Sequence, residues 1–372
     1  MASQIPDIAA FRHTADPQLS SSFFTSLPAE VRNLIYLEFW KLSSTRQHVH
    51  ADEIELPQAF QPGVDPEPPR LRWSHTRCIT NPRARDIRFD QFCRAKPGSP
   101  EESIWTARLK SEWCFHWDCE EQGQRGELDV HGMSRKLQGL LFGNHGAGDG
   151  VFLDVLRTCK RMYLECLPSI YSNTTFIFTD LREAKEFLLV FGGDDERYPL
   201  RSLELCIRTT NLMTEIYYPG TGDASDEGPP AIFAGTANPG LSMKNNPWQH
   251  VCDLLVELPK LQDLHIWFDS RDLRPWHSRV SETRFFGRLF DVRVANRSRF
   301  VLALPELPAK RGMPSHQVCE SHYLEGDKIA KAPFTVERGP RPNNWRVHLM
   351  GFPMRHPGQA IAMPTGLAPP NP

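Results

Sequence analysis

Two stretches in the first half of the chain carry apolar residues at the three- and four-residue steps of an amphipathic helix. In residues 23–40, FFTSLPAEVRNLIYLEFW, the residues Leu27, Val31, Leu34, Ile35 and Phe39 share one face, while Arg32, Asn33 and Glu38 point elsewhere. Pro28 suits a first helical position, where no backbone N–H is needed, and Glu30 places an acid in the positive first turn. The spacing therefore predicts a helix that begins at Leu27-Pro28. In residues 151–178 a longer stripe runs through Phe152, Val155, Leu156, Cys159, Met162, Tyr163, Cys166, Leu167 and Ile170. Each stripe needs something to bury against.

From Thr174 the pattern becomes α/β-like. Phe176 and Phe178 alternate as in a strand, and Asp180 with Glu183 reads as a capping box opening a helix through Phe191, which Gly192 can terminate. Leu203, Leu205 and Ile207 alternate next. After a loop of Gly, Pro, Asp and Asn at 219–246, Asn246 and Pro247 signal a helix start, with the helix running through Leu258. A strand through Leu264, Ile266 and Phe268 follows, and FVLALP at 300–305 reads as another. LRSLELCI from Leu200 and LQDLHIWF from Leu261 echo one another like the strands of a leucine-rich repeat. Their separation exceeds the roughly 20 to 29 residues of that repeat, so they are taken as two related strand units with a helix between, joined by a right-handed crossover if they are parallel neighbours. Trp267 alternates with the apolar face and must meet solvent or a covering layer.

Composition adds boundaries. The chain has 372 residues, enough for a sizeable core, but 40% hydrophobic content and 32 prolines assign part of it to loops. The expected organisation is a disordered N-terminus at 1–22, a helix at 23–40, a variable loop-rich insert at 41–150, a helix plus α/β domain at 151–350, and a disordered Pro/Gly-rich tail at 351–372. Five prolines between Pro57 and Pro69 mark the edge of the insert. A net charge of −2 supplies no global drive toward nucleic acid or acidic membranes. No stretch approaches the roughly 20 apolar residues of a membrane span, so a cytoplasmic or nuclear protein is expected. Nine cysteines, an odd number, then fit reduced thiols, several of them small core residues.

The strings LPAEVRNLIY and LRTCKRMYLECLPSIYSNTTFIF resemble the opening and closing parts of an F-box, in the split form of a group of fungal F-box-like proteins of unknown function. The residues that carry the resemblance are Leu27, Pro28, Glu30, Arg32, Ile35 and Tyr36, then Thr158, Cys159, Lys160, Tyr163 and Glu165, then Tyr171, Ser172, Thr175 and Phe176. It implies F-box-like helices, and with the strand pattern read above the expected fold is α/β (or α+β), those helices packed with a small mixed sheet carrying leucine-rich-repeat-like strand units. Residues 41–150 separate the two parts, a departure from a compact F-box, although loop-closure cost grows only logarithmically with length and leaves the halves free to pack.

Candidate chemistry is sparse. Cys114, His116 and Cys119 offer thiolate and imidazole, with Cys93 or His131 as a fourth zinc ligand. The second paired element of a zinc signature is missing, and Trp113, Phe115 and Trp117 between them read as a hydrophobic knot, so no metal and no cofactor are assigned from sequence. FGNHGAGDG lacks the Gly-Lys-Ser/Thr of a phosphate loop and reads as a flexible exit from the insert. Basic residues between Arg70 and Lys96, with Trp73, Phe89 and Phe92, have the character of a nucleic-acid contact, but the acidic run at 101–129 offers them an internal partner. No nucleophile–base signature is legible, and no enzymatic activity is expected.

The expected function is an intracellular protein-interaction module, a substrate receptor of a cullin-based ubiquitin ligase. In that reading Leu27, Pro28, Val31, Leu34 and Ile35 meet a Skp-type adaptor and loops such as 219–246, with Trp267 and Trp276, present a protein target. Two alternatives stand beside it: the same stripe packs on the helix at 151–171, or the chain is a scaffolding domain with no ubiquitin link.

Overall fold

The computed structural model describes residues 12–54, 70–81, 113, 116–120, 155–156, 158–191, 199–209, 246–270, 282–305 and 323–339. Residues 1–11 of the N-terminal expectation at 1–22, all but residue 246 of the loop at 219–246, and the whole tail at 351–372 lie outside the described residues, as do Phe152, Trp276, Cys93, Cys114 and His131.

A mixed α/β fold forms around one seven-stranded sheet. Its strands are β1 (Arg46–Ile54), β2 (Arg70–Arg77), β3 (Thr175–Phe178), β4 (Ser202–Thr209), β5 (Asp263–Ser270), β6 (Phe300–Pro305) and β7 (Thr335–Gly339), in the order β2-β1-β3-β4-β5-β6-β7. Among the described strands only the β1–β2 pair is antiparallel, and the other neighbouring pairs are parallel. Residues 41–150 are therefore more than a loop-rich insert, because they supply two strands of the sheet. The strands were hidden by polarity: β1 reads RQHVHADEI, and no apolar alternation announces it.

The helices are α1 (Ser22–Ser26), α2 (Ala29–Leu42), α3 (Lys160–Asn173), α4 (Leu181–Phe191), α5 (Pro247–Val256), and two short ones, α6 (Glu282–Phe285) and α7 (Asp327–Lys331). Pro28 caps α2 rather than opening it, and a separate turn of helix, α1, precedes it. The second helix starts at Lys160, later than the apolar stripe proposes, because Cys159 is extended and its Sγ accepts from Met162 N–H at 3.3 Å. Asp180 caps α4 as expected, its Oδ1 accepting from Arg182 and Glu183 N–H at 2.7 and 3.1 Å. Glu183 itself reaches across to accept from Ala51 N–H at 2.9 Å, tying α4 to β1. Asn246 accepts from Trp248 N–H at 2.9 Å with Pro247 behind it, and α5 begins where its cap predicts.

The echo at 200–207 and 261–268 becomes a pair of parallel neighbours in matched register, Leu203 beside Leu264, Leu205 beside Ile266 and Ile207 beside Phe268, with α5 between them in sequence. These residues, with Phe176, Phe178, Phe300, Leu302 and Leu304, cover one face of the sheet and pack with Leu188 of α4, Trp248, Val251 and Leu255 of α5, and Phe285 and Phe286. Alternation then delivers a different set to the other face. His48, Ile177, Glu204, His265 and Val301 form one cross-strand row, and Cys206, Trp267 and Ala303 form the next. Most of this second face is buried too, under residues 113 and 116–120 and the chain just after β2.

Candidate functional site

Helix α2 meets α3 through a face that lies off the apolar stripe read from the sequence. Arg32 Nε and Nη2 donate to the two carboxylate oxygens of Glu165 at 2.5 and 3.2 Å. One turn on, Tyr36 Oη donates to Glu165 Oε1 at 3.2 Å, and one turn further Trp40 Nε1 donates to Ser169 Oγ at 3.1 Å. Positions 32, 36 and 40 thus face 165 and 169, the four-residue spacing at which two helices interdigitate. Tyr36 and Trp40 are fully buried. Burial first, then the neighbouring Cys166 and the Glu165 carboxylate, push the Tyr36 hydroxyl far above its ordinary pKa. The orientation is reinforced by α1, whose Phe23 and Phe24 reach Tyr36 and the Arg161 guanidinium, with ring distances of 6.0 and 4.3 Å.

The opposite face of α2 is the apolar one. Leu34 is 62% exposed, Leu42 74%, Val31 38% and Phe39 37%. Pro28 is exposed, and Leu27 and Ile35 are half-buried. Of the residues singled out from sequence, then, none of Leu27, Pro28, Val31, Leu34 and Ile35 enters the core, and the alternative in which that stripe packs on the following helix is replaced by packing through Arg32, Tyr36 and Trp40.

A second cluster lies on the far face of the sheet. His48 comes from β1, Cys78 follows β2, and His116 and Cys119 occupy one turn that starts at Trp113, where His116 N–H donates to Trp113 C=O at 2.8 Å and Cys119 N–H to His116 C=O at 3.0 Å. All four are buried, and one donor atom from each lies within 4.8 Å of the others. Cys78 Sγ is 3.8 Å from Cys119 Sγ, and His116 Nδ1 is 3.4 Å from the first sulfur and 3.9 Å from the second. The other nitrogen of His116, Nε2, is 3.1 Å from Glu204 Oε1, and Arg46 pairs with Glu204 Oε2. Ile79 N–H donates to Cys119 Sγ at 3.4 Å, and the Thr80 hydroxyl is 3.2 Å from the same sulfur.

The electrostatics follow from that packing. The hydrogen bond shared with Cys78 holds the Cys119 thiol well below its ordinary pKa against the cost of burial, with His116 and His48 adding to it. Cys78 is pushed up correspondingly, by the same shared bond and by burial. Burial lowers His48, whereas in His116 the opposing pull of Cys119 and Glu204 prevails and raises it. Burial alone would raise Glu204, but His116 and Arg46 hold its carboxyl down at about 2. Neither ring nitrogen of His48 has a hydrogen-bond partner among the described residues, although the side chain is fully buried.

Sequence reading picked out His116 and Cys119 of this cluster and missed His48 and Cys78, which reach it only through the β1–β2 pairing. Trp113 and Trp117 do line the same layer: Trp113 lies tilted against His48, with centroids 4.7 Å apart, and Trp117 lies under the Arg208 guanidinium, 5.8 Å from the ring centre. Trp267 faces this covering layer and donates through Nε1 to His265 Nδ1 at 3.2 Å.

Among the described residues no helix is long and apolar enough to cross a membrane. Comparison with curated proteins and with solved structures finds no match to the chain. The sequence model of one family, described as a domain of unknown function (DUF7730), matches residues 106–320, a span that includes His116, Cys119, α3, α4, α5 and strands β3 to β6 but leaves α2, β1 and β2 outside. Because that match covers more than half of the chain, this protein belongs to the family described as Domain of unknown function (DUF7730).

Proposed function

We propose that the chain is a protein-interaction module that docks through the exposed face of α2 onto a Skp-type adaptor, and so serves as a substrate receptor of a cullin-based ubiquitin ligase. One observation carries the reading. Val31, Leu34, Phe39 and Leu42 stay exposed on a helix that is already fixed to the fold through its other side, so their apolar area is free for a partner. A helix held this way offers its stripe without a further ordering cost, which is how an apolar helix face binds a groove. The F-box-like residues support the assignment to this class of partner. Leu27 and Pro28 lie just ahead of α2, with Pro28 as its cap, and Arg32 and Tyr36 of the first part bond to Glu165 of the second, so the split motif is closed in space.

The test is co-purification of the tagged full chain with a Skp-type adaptor and cullin, alongside Leu27→Ala/Pro28→Ala and Val31→Asp/Leu34→Asp. Adaptor recovery that both double variants abolish, with unfolding still cooperative, supports the receptor. Folded wild-type chain that recovers no adaptor removes the ubiquitin link and leaves a scaffolding domain.

A further inference from the structure

We infer that His48, Cys78, His116 and Cys119 form a Cys2His2 zinc site that fastens Trp113 and residues 116–120 onto the face of the sheet that carries His48 and Glu204. The inference is independent of what docks on α2.

Geometry is the first argument. Zinc takes sulfur at about 2.3 Å and imidazole nitrogen at about 2.0–2.1 Å in a tetrahedron, which sets ligand atoms ~3.8 Å apart for two sulfurs and ~3.5 Å for sulfur and nitrogen. The sulfur pair lies at 3.8 Å, His116 Nδ1 lies 3.4 and 3.9 Å from the two sulfurs, and a ring nitrogen of His48 lies within 4.8 Å of all three. A disulfide needs about 2.0 Å between the same sulfurs, and both are free thiols. Two sulfurs and two nitrogens in a tetrahedral arrangement are the donor set that selects zinc among common divalent ions.

The second argument is the unspent valence of His48. A buried imidazole with no partner for either nitrogen is costly, and this one points into the cluster, where one nitrogen joins the three other donor atoms. The third is the support behind His116. A histidine that ligates through one nitrogen commonly donates its other N–H to a carboxylate, which fixes its tautomer and orientation. Glu204 supplies that carboxylate, and Arg46 neutralises its remaining charge. Ile79 N–H donating to Cys119 Sγ stabilises a thiolate in the same manner.

Charge closes the argument. Two thiolates and a divalent cation sum to zero, and Glu204 with Arg46 sums to zero, so the buried layer carries no net charge when the metal is bound. Four protein ligands leave no open position, which makes the site structural. What it holds is clear from its surroundings: Ile177, Cys206 and Trp267 on this face of the sheet are covered by the ligand-bearing turn, and Trp113 packs there.

The experiment is metal analysis of the full chain purified without chelator, followed by exchange into Co2+. About one zinc per chain is expected. Cys78→Ser, Cys119→Ser and His48→Ala should each lose it, while Cys252→Ser, a buried thiol elsewhere in the core, should keep it. The Co2+ form should show the visible absorption of a tetrahedral site together with thiolate charge-transfer bands. Should the ligand variants fail to fold, the wild-type chain still decides: a mercurial reagent should release the zinc in proportion to two modified thiols. Folded, reduced chain that holds no zinc and takes up no Co2+ would overturn the site. So would a Co2+ complex without thiolate bands, or a Cys78–Cys119 disulfide recovered from chain kept under reducing conditions.

Discussion

His116 and Glu204 are joined through Nε2 and Oε1 at 3.1 Å, and that bond turns the other imidazole nitrogen toward the two sulfurs. Glu204→Gln keeps the shape of the side chain and removes its charge, leaving Arg46 without its counter-ion. Loss of an outer-shell carboxylate of this kind lowers metal affinity by about 10–100-fold. Competition against a colorimetric zinc chelator measures the change; wild-type affinity in the variant would show that Glu204 does not orient the ligand.

The two faces of α2 should respond oppositely to truncation. Trp40 is fully buried and bonded to Ser169, so Trp40→Ala should cost about 3–5 kcal/mol. Tyr36→Phe removes only the hydroxyl bonded to Glu165 and should cost about 1 kcal/mol. Leu34→Ala, at a 62% exposed position, should stay within about 0.5 kcal/mol of the wild type. Denaturant midpoints at constant slope give all three. A large loss for Leu34→Ala would place that side chain under a cover and withdraw the free docking face.

These contrasts mark what was legible in the chain. The strands through Leu203 and Leu264 and the start of α5 at Asn246-Pro247 are encoded locally, by period-two alternation and by capping chemistry, and the structure has both. The orientation of α2 is not encoded locally. Arg32 counts as polar in any periodic scheme, and its burial is compensated by a carboxylate 133 residues away together with the Leu27 carbonyl. The same holds for β1, whose His48 and His50 interrupt any apolar pattern yet lie on a face that another segment covers. The metal-ligating cluster was half visible for the same reason. His116 and Cys119 share one turn, whereas His48 and Cys78 arrive through strand pairing, which no spacing rule in a single sequence reports.

Glu282 anchors the far edge of the sheet. It is fully buried, its two oxygens accept from Arg338 Nη1 and Nη2 at 2.7 Å each, and Oε2 also accepts from Leu324 N–H at 2.9 Å. The bidentate pair thus links α6 to β7. Glu282→Ala strands a guanidinium that is only partly solvated and should destabilise the fold by about 3–5 kcal/mol, as breaking one side of a buried pair does. Glu282→Leu combined with Arg338→Met should recover a large part of that loss, because it removes both charges together. A double-mutant cycle on urea unfolding checks this; losses that simply add would mean the two side chains do not act as a pair.

Alkaline stability should depend on Cys166. This thiol is fully buried beside Tyr36, and burial pushes it up to about 12 in spite of an opposing pull from Tyr36. In the unfolded chain it ionises near its ordinary value of 9.0, so between about pH 9 and 12 the unfolded state binds fewer protons than the folded one. The sign follows: the stabilisation is complete below pH 9 and is lost as pH rises toward 12, at up to about 1.4 kcal/mol per unit. Cys166→Ala should lower stability at pH 7 by the truncation alone and should flatten the alkaline limb, so that the two unfolding curves converge as pH rises. Parallel curves across pH 9 to 11 would show that Cys166 ionises in the folded state as it does in water.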